Sequence, residues 1–155
     1  MEQKRRVTSD DDKIFAVYNE KLIALSALAE QPKRLAAPQF SAKAVSPVCG
    51  SVVELDLNLK DGKIEAFGFA VEACALTKSV IAVMARAIIG KTRKDVERAG
   101  QEMKSMLEGQ KVLPSGDWAD LGILEPVRDY KARHDSILLP FEAVEKALRA
   151  KPSTP

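Results

Sequence analysis

Ser51-Val-Val-Glu-Leu-Asp-Leu-Asn-Leu59, Lys60-Asp61-Gly62-Lys63 and Ile64-Glu-Ala-Phe-Gly-Phe-Ala-Val71 decide the fold of this chain. In the first run Val53, Leu55, Leu57 and Leu59 alternate with polar neighbours, the period-2 pattern of a strand with one buried face. Asp61-Gly62 is a two-residue hairpin signal, because both central positions of such a turn need φ > 0. The segment 63–71 then reads as the returning strand. Its pattern changes phase: Ile64 and Ala66 share one face, whereas Phe67, Phe69 and Val71 take the other. Either a bulge occurs near Ala66 or both faces of the sheet are covered. If Lys60 pairs with Lys63, the same ladder carried outward sets Cys49 opposite Cys74, the two cysteines of the chain. Opposed residues lie roughly 4.5–5.5 Å apart at Cα, so two thiols distant in sequence can share one site. A slip of one or two residues keeps them near.

Helices are expected on both sides of this hairpin. Ser9 with Asp12 makes a capping-box variant, and a first helix runs from there to about residue 30. Ile14, Tyr18, Leu22, Leu25 and Leu28 form its apolar face. Residues 35–48 read as a loop with a short strand over 42–45. A second helix over 73–89 carries Leu76, Val80, Val83, Met84 and Ala87 inward and ends at Gly90. Thr92 caps a third helix that reaches Glu108, with Met103, Met106 and Leu107 in the core. One or two helical turns follow over 118–124. A last helix covers 132–150 and is kinked by Pro140 or begins there. No internal repeat or linker interrupts the chain, which reads as one domain over 1–155 with its core at about 10–150.

Composition narrows the function classes. The 155 residues are 46% hydrophobic and 30% charged, as in an ordinary soluble globular protein large enough for a core without staples. A net charge of +2 gives no ground for a nucleic-acid partner. No run approaches the ~20 apolar residues of a membrane helix. The basic start, Met1 to Arg6, leads into Thr8-Ser-Asp-Asp-Asp instead of an apolar run, which excludes a secretory signal. Two cysteines in such a chain point to a reduced, cytoplasmic setting.

The candidate chemistry centres on the thiols. Cys74 stands at a helix start, where free N–H groups and the positive dipole end favour a thiolate. Cys49 lies in the turn Pro47-Val-Cys-Gly. The pair is half of a soft-metal site, and zinc or an iron–sulfur cluster normally takes four ligands. Spacing alone leaves buried structural cysteines, a disulfide and a metal site all open. His134 is the sole histidine, so no triad can be assembled, and a lone histidine is ordinarily a surface or satisfied core residue. Lys91, Arg93, Lys94 and Arg98, interleaved with Asp95 and Glu97, read as a solvated helix face.

Several motifs, in order, resemble the NifU N-terminal, IscU-type iron–sulfur cluster scaffolds. Ser46-Pro-Val-Cys49-Gly50 is similar to that family's Asn-Pro-x-Cys-Gly-Asp. The segment Phe67-Gly-Phe up to Ala73-Cys74-Ala75 resembles its Phe-x-Gly-x-Gly-Cys-Ala. Thr77-Lys-Ser79 and Gly90-Lys-Thr92 look like its serine-rich helix and Gly-Lys-Ser end. Val127 to Leu139 is similar to its Val-x-x-Tyr-Pro-x-Arg-x-x-Cys-Ala-x-Leu. The resemblance implies an α+β fold, a small, mostly antiparallel three-stranded sheet packed against about five helices. It also implies a [2Fe–2S] cluster, iron, or alternatively zinc, held on three cysteines with an aspartate or histidine. Sulfur would come from a cysteine desulfurase, and the cluster would pass to recipient apoproteins, with no enzymatic turnover. In this chain the ligands implied are Cys49 and Cys74. The third cysteine falls on Ser136 in an ungapped alignment, or on Asp135 with a one-residue gap, and the aspartate after Cys-Gly is Ser51. A zinc-containing, SufU-like sulfur acceptor and a degenerate homologue that only binds partners are the alternatives.

Overall fold

The computed structural model describes residues 19–47 and 50–150. The hairpin forms as expected. Strand β2 (Ser51–Lys60) pairs antiparallel with β3 (Lys63–Glu72). Asp61 and Gly62 both take positive φ, 54° and 77°, as the tight turn demands. Strand β1 (Phe40–Ser46) is longer than the 42–45 expected and pairs with β2 to give the order β1-β2-β3.

The phase change in β3 has two causes, and both expectations hold. Lys60 pairs with Lys63 and Leu59 with Ile64, but Asn58 pairs with Ala66, so Glu65 is an extra residue, a bulge. Beyond it Phe67, Phe69 and Val71 oppose Leu57, Leu55 and Val53 on the helix side of the sheet. The other face is covered as well. Lys33 exchanges two backbone hydrogen bonds with Phe69, N to O 2.8 Å and O to N 3.1 Å, and the chain from there crosses the outer surface. Under it lies Asp56, fully buried. Its carboxylate accepts from Arg34 Nε (2.7 Å) and Nη2 (2.8 Å), from Leu35 N (3.0 Å) and from Ser41 Oγ (2.7 Å). Gln39 N donates to Asn58 Oδ1 at 2.6 Å, and Leu59 N donates to Gln39 Oε1 at 2.7 Å.

Gly68 sits opposite Asp56 beneath this crossing segment. A Cβ there would meet Leu35 N at 2.7 Å and Lys33 O at 2.8 Å, both backbone atoms. Gly68→Ala is therefore expected to lift the segment off the sheet and to destabilise the protein by about 1–3 kcal/mol, the range for overpacking. Thermal unfolding of the purified variant measures it.

Helix α1 (Glu20–Ala27) begins after Asn19, whose side chain accepts from Leu22 N. The first helix was expected to start at Ser9; Ser9, Asp12, Ile14 and Tyr18 lie outside the described residues. Leu22 and Leu25 are buried, but Leu28 is the C-cap and 58% exposed, so the expected face ends at Leu25. Helices α2 (Ala75–Ala87) and α3 (Arg93–Leu107) follow the hairpin. Thr92 and Asp95 form a reciprocal capping box, and Met103, Met106 and Leu107 are buried. The helical turns expected at 118–124 extend to a 3-10 segment, Gly116–Asp129, and a second, Lys131–Arg133, leads into α4 (His134–Arg149). Pro140 lies within α4 instead of starting it.

The result is α+β: one three-stranded antiparallel sheet with helices on its inner face. Val53, Leu55, Leu57, Ile64 and Phe69 meet Val80, Met84, Ile137 and Val144 in one core cluster. Lys146 Nζ, from α4, donates to Lys43 O in β1 at 2.8 Å. No helix among the described residues is long and apolar enough to cross a membrane.

Candidate metal centre

Cys74 ends the β3 side of the hairpin and begins a helix. It is the N-cap of α2, with extended backbone (φ −72°, ψ 169°), and it is half-buried and unpaired. Extended strand geometry thus passes directly into the helix at the sulfur-bearing residue, whose neighbours include the free N–H groups of the first turn. Thr77 lies three residues on, fully buried, with Oγ1 3.7 Å from Cys74 Sγ. The Thr77 hydroxyl donates to the backbone oxygen of Ser136 in α4 at 3.0 Å.

Cys49 lies outside the described residues, but its turn is bounded. Ser46 pairs with Ser51, and Gly50, at φ 71°, donates its N–H to Ser46 O at 2.8 Å. Residues 47–50 therefore connect β1 to β2. At the other end of the ladder Val52 pairs with Glu72, so Gly50 and Cys74 each stand two residues beyond a paired position. The expected register, with Cys49 opposite Cys74, assumed an unbroken ladder. The Glu65 bulge shifts it by one.

The third-ligand candidates part company. Ser136 is buried, 1% exposed, and belongs to the side of α4 that meets Thr77. Asp135 is exposed and lines a groove of about 820 Å³ between α3, α4 and β1, alongside Ala44 and Val45. Val45 is 51% exposed and stands two residues before the 47–50 turn. Ser51 is buried. His134 bonds through Nε2 to Val127 O at 2.9 Å, which ties α4 to the 3-10 segment, the satisfied structural role expected of a lone histidine. Among the described residues no group of three or more His, Cys, Asp or Glu side chains could hold a metal ion. The donor set drawn from them is one soft thiol with hard oxygens, so a soft-metal site here needs Cys49 as well.

Perturbed carboxylates lie elsewhere. Burial pushes the Asp56 carboxyl up, but hydrogen bonds from Arg34, Ser41 and the Leu35 N–H outweigh it and hold the group below the usual carboxylate range. Asp120 is lowered by hydrogen bonding to Lys21, with Arg86 contributing. These two join the sheet to its crossing segment and α1 to the 3-10 segment.

Sequence reasoning quoted Thr77 only as part of a serine-rich helix and gave it no role. Its contact to Ser136 spans 59 positions, so the available signal was local: a threonine three residues after a cysteine at a helix cap.

Comparison with known proteins agrees with this architecture. Residues 27–136 match the family model described as NifU-like N terminal domain. The crystal structure of a nitrogen-fixing NifU-like protein (N-terminal) from Brucella abortus superposes with a TM-score of 0.83 at 40% identity, covering 88% of this chain and 95% of that one. The iron–sulfur cluster assembly scaffold protein IscU of Streptococcus pyogenes serotype M1 is 24% identical over 104 residues, 67% of this chain and 65% of that protein. The zinc-dependent sulfurtransferase SufU of Bacillus subtilis (strain 168) is 26% identical over 103 residues, 66% of this chain and 70% of that protein. The match thus spans just under two thirds of the Streptococcus protein's length. With a family match over most of its length and the sheet, helices and capped cysteine in place, the chain belongs to the NifU-like N-terminal domain family.

Proposed function

We propose that this protein is an iron–sulfur cluster assembly scaffold or carrier, which holds iron or a [2Fe–2S] cluster transiently and passes it to apoproteins. Sulfur would reach it from a cysteine desulfurase, and the cluster is cargo, so no substrate is turned over. The observation that carries the reading is Cys74: a half-buried, unpaired thiol capping α2, beside the β-ladder end that leads to the Cys49 turn. Cys49 and Cys74 would supply the soft ligands. Exposure favours Asp135 over Ser136 as a further ligand, because an outward carboxylate can reach a bound ion whereas Ser136 is enclosed.

A second reading is supported by the mixed donor set. Two thiolates with a carboxylate suit zinc, which binds sulfur and oxygen ligands tetrahedrally, and the Bacillus relative is zinc-dependent. In that case the protein accepts persulfide sulfur from a desulfurase. Metal and sulfide counts on protein purified without oxygen separate the two readings. Iron with sulfide supports the scaffold, and zinc without sulfide supports the sulfur acceptor. Protein that takes up neither under reconstitution overturns both and leaves a partner-binding homologue.

Folding is not expected to need the metal. The core of Leu22, Leu55, Leu57, Met84, Met103 and Leu124 is closed without it, and a 155-residue chain is long enough to be stable on burial alone. Chelator-treated protein should therefore keep a cooperative thermal transition. Loss of that transition would show that binding and folding are coupled.

A further inference from the structure

Pro140, inside α4, has a consequence at the cysteine site. In a regular α-helix the carbonyl of Ser136 accepts from the N–H four residues on, and that residue is a proline, with no N–H to give. The Thr77 hydroxyl donates there instead, from helix α2, at 3.0 Å. A hydroxyl has one proton. With that proton on the Ser136 carbonyl, the Thr77 oxygen faces Cys74 Sγ as an acceptor, so the thiol S–H is the donor across the 3.7 Å contact. Proline in one helix thus decides the direction of a hydrogen bond to a cysteine at the start of another.

We propose that Thr77 is a positioning residue: through these two contacts it clamps the Cys74 sulfur to the first turn of α4, the turn that carries Asp135. The proposal rests on the reading of Cys74 as a ligand. Its effect is preorganisation. The sulfur is held in one orientation against the α4 turn before any ion arrives. When an ion displaces the thiol proton the S–H donor is gone, and the Thr77 hydroxyl would turn from the Ser136 carbonyl to donate to the thiolate, a stronger, charge-assisted bond. That is the role hydrogen-bonded outer groups play at metal sites.

The test uses the full chain and three variants, titrated anaerobically with cobalt(II) as a spectroscopic stand-in for zinc. Thr77→Val keeps the shape and removes the hydroxyl. Its cobalt affinity should fall about 10–100-fold, the usual effect of losing such a partner, with a changed sulfur-to-cobalt absorption band. Thr77→Ser should keep both near the parental values. Thr77→Val also removes the donor to the Ser136 carbonyl and should be less stable. Adding Pro140→Ala supplies an N–H to that carbonyl within α4, so thermal stability should recover while cobalt affinity does not. Parental affinity in Thr77→Val, or affinity that returns together with stability in the double variant, overturns the clamp. If the parent binds neither cobalt nor zinc, the metal reading fails, and the clamp is judged on the infrared S–H stretch of Cys74 in a Cys49→Ser background. A band lowered by hydrogen bonding should move to the free-thiol position in Thr77→Val. An unmoved band overturns the clamp on its own.

Discussion

Asp135→Cys is expected to raise zinc or cobalt affinity by at least tenfold, and the same change at Ser136 is not. Four-ligand structural zinc sites bind with about 10–16 kcal/mol, so each ligand is worth a few kcal/mol. Exchanging a carboxylate for a softer thiolate that also carries charge should add at least ~1.4 kcal/mol, a factor of ten. Asp135 is exposed beside the β1 end that enters the Cys49 turn. Ser136 is 1% exposed and faces into the protein. Asp135→Ala should correspondingly weaken binding. Anaerobic titration followed by metal and sulfide counts reads all three variants. A gain at Ser136 with none at Asp135 would place the third ligand one residue on and refute the argument from exposure.

The second large effect concerns stability. Asp56→Ala removes an acceptor that Arg34, Ser41 and the Leu35 N–H share under the crossing segment. Leaving a buried donor unsatisfied costs about 1–3 kcal/mol. Arg34 is 40% exposed and can turn to water, so a loss of roughly 3 kcal/mol is expected. For a chain of this size that lowers Tm by about 6–12 °C. The carboxyl is held below its ordinary range in the folded state, so folding favours its ionised form. Its contribution is complete above the unfolded carboxylate pKa, about 3.9, and disappears as pH falls through the lower folded value. Parental protein should lose stability steeply below about pH 4, and Asp56→Asn less steeply. Asp95, Asp117 and Asp120 are also lowered, so a residual slope is expected. An identical slope in parent and variant would move the acid sensitivity to those surface carboxylates.

What could be read from sequence follows the physics of each element. The hairpin was legible because Asp61-Gly62 and the alternation over 51–59 report local geometry. The phase break at Ala66 announced the bulge, though not that Glu65 was the inserted residue. The same phase break allowed a covered outer face, but not what covers it. Asp56 alternates with leucines as any solvent-facing residue would, and the donors that make its burial tolerable, Arg34, Leu35 and Ser41, lie 15 to 22 positions away. Apolar spacing over 14–28 spoke for one continuous helix, whereas extended backbone at Asn19 interrupts it and the Asn19 side chain caps α1 at Leu22 N. Of the long 3-10 segment, Gly116–Asp129, only the turns over 118–124 were legible, because the rest has neither helical nor strand period. At the site, Cys74 was legible as a helix cap. The parting of Asp135 from Ser136 was not, since it depends on how α4 rotates against α2 and β1.

A three-stranded sheet has two outer rims, and unpaired rims are templates on which foreign strands grow. Here each rim carries a stopper. Lys33 occupies β3 at Phe69 with a reciprocal pair of backbone bonds, and the Lys146 ammonium sits on the Lys43 carbonyl of β1. The second stopper is a single charged side chain, and neutralising it by acetylation would remove its cation. The fold thus covers one rim by main-chain pairing and sets a single positive charge on the other.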